Sequence, residues 1–162
     1  MSDRQLIDNC SQTLAGIKTG NLFNCQYTEQ ELYRVLMDWN TILLPMGICA
    51  LLLRKGKKRA LIYVFRRNDL QRVLSQPEVQ VYLKRCGYPD ITVINCLRHL
   101  IKRLSEISSD AFPHEIGFFL GYPPDDVVGF IENKGQNYKS AGLWKVYGDL
   151  NKAELLFKKY RQ

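Results

Sequence analysis

Histidine is scarce in this chain of 162 residues: there are two, His99 and His114, and neither stands at zinc-ligand spacing from a cysteine. Cysteine occurs five times, as Cys10, Cys25, Cys49, Cys86 and Cys96, but never as a CxxC pair. An odd, dispersed set argues against a disulfide framework and against a metal site, and favours a reducing cytoplasm. Long apolar runs are also missing. The longest, residues 41–53, covers thirteen positions and is broken by Pro45 and Gly47, too short to cross a bilayer. The opening MSDRQLIDNC is polar and lacks the basic-then-apolar order of a signal peptide. There is no repeat and no low-complexity segment. What is there is an ordinary globular composition, 46% hydrophobic, 24% charged and 11% aromatic. A chain of this length is expected to fold as one domain, residues 1–162, burying roughly 70% of the surface that it exposes when unfolded.

Acidic charge is thin in one place. The formal net charge is +7, and residues 54–103 alone hold thirteen basic and three acidic side chains. The densest cluster is Arg54, Lys55, Lys57, Lys58 and Arg59, followed by Arg66 and Arg67. Such a patch would suit phosphates on a nucleic acid. A solvated turn whose cations keep a sheet edge from pairing accounts for it more simply.

Periodicity supplies the elements. Thr28 and Glu31 make a capping box, and Leu32, Val35, Leu36, Trp39 and Leu43 fall on one face of the helix behind it. Residues 48–53 and 60–65 are β-rich runs about a basic turn centred on Gly56, which predicts a hairpin. Both runs are nearly all apolar, so both faces of their sheet should be covered by helices. Asn68 and Pro77 open short helices. A longer one follows Thr92, with Arg98, Lys102 and Arg103 on its wet side. Residues 115–122 read as a buried strand, residues 123–126 (PPDD) as a helix start, residues 143–147 as a last strand, and Asp149 as the cap of a closing helix. Near the N-terminus, residues 4–10 predict a helical turn or two and residues 14–23 a strand broken by glycines. The sum is an α/β to α+β chain: a single mixed sheet of about five strands, one hairpin among them, with helices packed on it.

Three stretches carry a resemblance. They are CSQTLAGIKTGNLFNC at residues 10–25, FPHEIGFFLGYPPDDVVGFIENKG at 112–135 and GLWKVYGD at 142–149. Their order, spacing and wording resemble the bacterial domain-of-unknown-function family numbered 3793, found mainly in anaerobic Gram-positive bacteria. The resemblance covers almost the whole chain and is weakest in the basic middle third. It implies one cytoplasmic domain and brings no activity, cofactor or catalytic residue with it.

The residues are therefore weighed on their own chemistry. Cys10 with His114 and Glu115 is the sharpest catalytic set: thiol nucleophile, imidazole base and orienting acid, as a cysteine-dependent hydrolase or acyl-transferase would need. The magnitudes are demanding. Lowering a thiol pKa from about 8.5 to about 6 takes roughly 3.4 kcal/mol. A helix end supplies about 0.3–1 kcal/mol, so His114 would have to touch Cys10. No CGSCW-type signature surrounds Cys10. Lys18 lies among glycines that let a backbone approach an anion, though GIKTG is not a phosphate-loop pattern. With Asn21, Tyr122 and Lys145 it makes the candidate ligand-binding set, and Tyr138, Trp144 and Tyr147 add rings for a flat ligand. No dinucleotide fingerprint or RNA-recognition motif is present, and the sequence names no cofactor. The leading reading is a cytoplasmic domain that binds a small molecule or a partner protein without catalysis. Its site is expected where residues 10–21 meet residues 112–122. The hydrolase built on Cys10 and the nucleic-acid binder built on the basic patch are the alternatives.

Overall fold

The computed structural model describes residues 1–108 and 111–161. Its centre is an antiparallel three-stranded sheet of order β1-β3-β2, built from β1 (Gly20–Gln26), β2 (Ile48–Lys55) and β3 (Arg59–Arg66). β2 and β3 form the expected hairpin. Alternation along β3 sorts the core in two. Leu61, Tyr63 and Phe65 face one side with Leu53, and Ala60, Ile62 and Val64 face the other with Phe23, Cys25, Ile48 and Ala50.

The second side is covered by α1 (Asp3–Leu14) and α2 (Glu29–Leu43), which is followed by a short 3₁₀ turn, Leu44–Met46. Ser2 and Gln5 form a reciprocal cap on α1. Thr28 Oγ1 accepts from the Glu31 backbone N–H at 3.3 Å, the first half of the expected capping box, while the Glu31 carboxylate accepts from the Thr28 hydroxyl at 3.1 Å instead of from its backbone N–H. Trp39 of α2 donates its indole N–H to Asp3 Oδ1 at 2.8 Å, tying the two helices together. The first side is covered by α3 (Arg67–Leu74), α4 (Pro77–Arg85), α5 (Val93–Glu106) and the short α6 (Ile116–Phe119). Beyond them lie α7 (Pro124–Glu132), a small ladder of β4 (Ser140–Ala141) with β5 (Lys145–Val146), and α8 (Leu150–Arg161). The third cluster, Trp144, Val146, Ala153, Phe157 and Tyr160, belongs to this last part.

The architecture is α+β, and three expectations are corrected in detail. The strands do not share one mixed sheet of five: three make the main sheet and two a separate short ladder. Residues 115–122 hold a helix instead of a strand. Ile116, Gly117, Phe118 and Phe119 are all buried, and Gly121 at φ +79° ends the turn in the left-handed region. A consecutive apolar run does not by itself separate a buried strand from a helical turn. Third, Arg103 turns inward from α5 to a buried carboxylate described below.

Two contacts fix the sheet's surroundings. Arg66 Nη1 donates to the Thr13 and Leu14 carbonyls at 3.0 and 3.4 Å, closing the C-terminal end of α1. Asn40 of α2 covers the open edge of β2: its side-chain amide donates to the Ala50 carbonyl at 2.8 Å and its Oδ1 accepts from the Ala50 N–H at 2.8 Å. The amide thus stands in for a missing strand. Asn40→Ala leaves both groups of Ala50 unpaired and should lower the unfolding free energy in urea by about 1–3 kcal/mol. An unchanged midpoint would show that this edge needs no cover.

Candidate functional site

The pocket at the C-terminal third is assembled by one carboxylate. Asp126 sits in the first turn of α7, and its side chain turns away from its own helix end. Its Oδ2 accepts from the Trp144 indole N–H at 2.8 Å, and Oδ1 accepts from the backbone N–H of Tyr147 at 2.9 Å and Gly148 at 2.8 Å. Asp126 is 3% exposed, and three donors make its charge tolerable there. Gly129 allows α7 to lie this close, since a Cβ on it would stand 2.3 Å from the Tyr147 Cβ.

The result is a cavity of about 300 Å³ between α6, α7 and β5. It is lined by Phe112, Pro113 and His114, by Ile116 and Gly117 of α6, by Asp126, Val127 and Phe130 of α7, and by Tyr122, Trp144 and Lys145. Tyr122 and Trp144 stack with centroids 4.6 Å apart, and Trp144 meets Phe157 edge-on at 4.4 Å. The exposed His114 imidazole lies 5.3 Å from the Phe130 ring. Lys145 Nζ donates to the Gly135 carbonyl at 2.7 Å and stands 4.7 Å from the Tyr138 ring and 5.8 Å from Phe130. Lys18 reaches this lining, with Nζ 5.4 Å from the Tyr122 ring and 5.7 Å from Tyr160. Burial lowers its amine to about 8.

Of the candidate residues, the fold brings Tyr122, Lys145 and His114 to one cavity and sets Lys18 over the Tyr122 ring. Asn21 is turned to α1, where its Oδ1 accepts from the Thr13 hydroxyl at 2.6 Å. Cys10, on the inner side of α1, lies in the core shared with α2 and the sheet, fully buried, and burial pushes its thiol up to about 12 against a partial opposing pull from Lys18. His114 is on the rim of the pocket. Glu115 turns inward to the other core, where it pairs with Arg103 through Nε and, at 3.2 Å, through Nη2, and accepts from the Tyr88 hydroxyl at 3.1 Å. So His114 and Glu115, adjacent in the chain, serve different surroundings, and Cys10 has neither as its neighbour in the core cluster. Among the described residues no three of His, Cys, Asp and Glu group as metal ligands would.

The basic patch is divided. Arg54 donates to the Ser108 and Ala111 carbonyls at 3.4 and 3.3 Å and covers the Phe112 ring. Lys55 pairs with Glu29 at 2.6 Å, and Arg66 closes α1 and pairs with Asp69 at 3.6 Å. Lys57, Lys58 and Arg59 at the hairpin turn, and Arg67 at the start of α3, are exposed. The turn cations border an open groove with Leu53, Leu61, Ile101 and Leu104 in its floor.

Sequence reasoning missed Asp126 as an organising residue and Val127 and Phe130 as pocket lining. The doubled acid after two prolines signals a helix start, and only the partner segment 144–148 reveals its second use.

An α+β chain with a preformed aromatic pocket is the class that these features define. The family model described as "Protein of unknown function (DUF3793)" matches residues 6–162, and the chain belongs to that family. No curated protein and no solved structure matches it. No helix among the described residues is long and apolar enough to cross a membrane.

The thiols give a direct check on this geometry. Cys10 and Cys96, held near 12 and 11 by burial, stay protonated through pH 8, and their reactivity should rise only as the pH approaches those values. Iodoacetamide at pH 8, read by peptide mass spectrometry, should label half-buried Cys49 and Cys86 first and leave Cys10 unmodified until the protein unfolds. Fast labelling of Cys10 near pH 6 would contradict the buried placement and revive the nucleophile.

Proposed function

We propose that this chain is a small-ligand-binding domain that acts without catalysis, and that its ligand occupies the cavity between α6, α7 and β5. The observation that carries the reading is the preformed concave site itself, about 300 Å³ and lined mainly by aromatic and aliphatic side chains with His114 and Lys145 among them. The two C-terminal stretches that resemble the family's wording, residues 112–135 and 142–149, are the segments that build it. The placement of Cys10 and Glu115 speaks against the hydrolase alternative, because Cys10 is buried with a raised thiol and Glu115 is committed to Arg103 and Tyr88. Five free thiols favour a reducing compartment, in keeping with a cytoplasmic domain.

The test uses N-phenyl-1-naphthylamine, a neutral probe that brightens in apolar sites, with energy transfer from Trp144 in a Trp39→Phe background reporting where it sits. Saturable binding at one probe per chain is expected. Val127→Phe, which puts a ring into the cavity, and Phe112→Ala, which removes wall at the exposed rim, should each weaken it, the former by about tenfold or more, or ~1.4 kcal/mol. Probe binding that is absent, or equal in both variants and the parent, would refute the proposal.

A further inference from the structure

Resting on that reading, we propose that the ligand of this pocket is an apolar monoanion, a compact aromatic or aliphatic carboxylate, with its body against the rings and its head group at the Lys145 ammonium.

Lys145 is half-buried at the cavity wall, and the partner of its Nζ is the neutral Gly135 carbonyl. The ion pairs among the described residues assign it no carboxylate. The carboxylate among the lining residues, Asp126, directs its hydrogen bonds to the N–H donors of Trp144, Tyr147 and Gly148, and no hydrogen bond or ion pair joins it to Lys145. A half-buried ammonium with spare N–H donors is favoured by an incoming anion, since charge-assisted hydrogen bonds are the stronger kind and are screened less away from bulk water.

The same rings argue against the opposite ligand. An aromatic cage commonly selects a quaternary ammonium. Here the cations are already supplied by the chain: Lys145 stands by Phe130 and Tyr138, and Lys18 stands by Tyr122. Lys18, lowered to about 8, still carries its proton at pH 7. A ligand cation would meet two ammonium groups at ring faces that they already use. An anion would meet complementary charge at Lys145, which lines the cavity.

Size and lining set the rest of the class. A cavity of about 300 Å³ with aromatic and aliphatic walls accepts one or two rings or a short chain. One unmatched ammonium suits one negative charge, and a polyphosphate or a dicarboxylate would bury a second charge against Val127 and Phe130 without a partner.

The experiment displaces bound N-phenyl-1-naphthylamine at pH 7 with three competitors: 1-naphthoate, its neutral isostere 1-naphthamide, and trimethylphenylammonium. Naphthoate is expected to compete about tenfold or more better than naphthamide, and the ammonium ion not to compete. In Lys145→Met the ratio between naphthoate and naphthamide, measured within the variant, should fall to near unity, while Lys145→Arg should preserve it. If the probe binds and naphthamide matches naphthoate, or the ammonium ion displaces it, the pocket stands and the anion assignment is overturned. If the parent protein does not bind the probe at all, the pocket reading falls and this inference with it.

Discussion

Strand β3 is buried along six consecutive positions, and both of its faces need cover. That requirement shapes what surrounds it. Each fully buried large apolar side chain contributes about 1.5–3 kcal/mol, so neither face can be left wet. α1 and α2 take one side, and α3 to α6 take the other. The chemistry-bearing residues are partitioned by the same division: Cys10 falls with the α1–α2 core, Glu115 with the opposite core, and His114 outside both. The sheet therefore keeps apart a cysteine, a histidine and an acid that linear order suggests as a set.

The pocket beside α7 owes its form to a different arrangement of charge. Asp126 could have remained an ordinary helix-start acid, favoured by the positive end of α7. Its three hydrogen bonds go instead to the segment carrying Trp144, Tyr147 and Gly148, and so the β4–β5 ladder and α8 are held against α7. Tyr122 and Trp144 then stack, Lys18 stands over the Tyr122 ring, and Lys145 is left at the cavity with a neutral carbonyl and two rings as its partners. The proposed ligand follows from that last residue.

Legibility in the sequence tracks the range of the cause. Thr28 with Glu31, the runs about Gly56, Pro77, Thr92 and Asp149 act within a few residues, and the elements they announce are present. The segment 116–120 is apolar at successive positions, where period cannot distinguish a buried strand from a helical turn, and it folds as α6. Arg103 reads as a wet-side cation until Glu115, twelve residues on, is seen to be buried beside it. At the site, Tyr122 and Lys145 were legible as polar or aromatic residues in recognisable stretches. The contact of Lys18 with Tyr122 joins positions over a hundred residues apart and needs the fold. The basic run from Arg54 to Arg67 looks uniform in sequence, but its members divide between structural partners and solvent.

The most direct measurement is residue-resolved hydrogen exchange on Asp126→Asn, with N-phenyl-1-naphthylamine binding on the same sample. The substitution places an N–H₂ where either the indole or the two backbone donors need an acceptor. The account predicts faster exchange at the Trp144 indole and the Tyr147 and Gly148 amides, loss of probe binding, and unchanged protection along β3. Retained protection with full probe binding, or exchange that rises equally across β3, would contradict the claim that this one carboxylate builds the site.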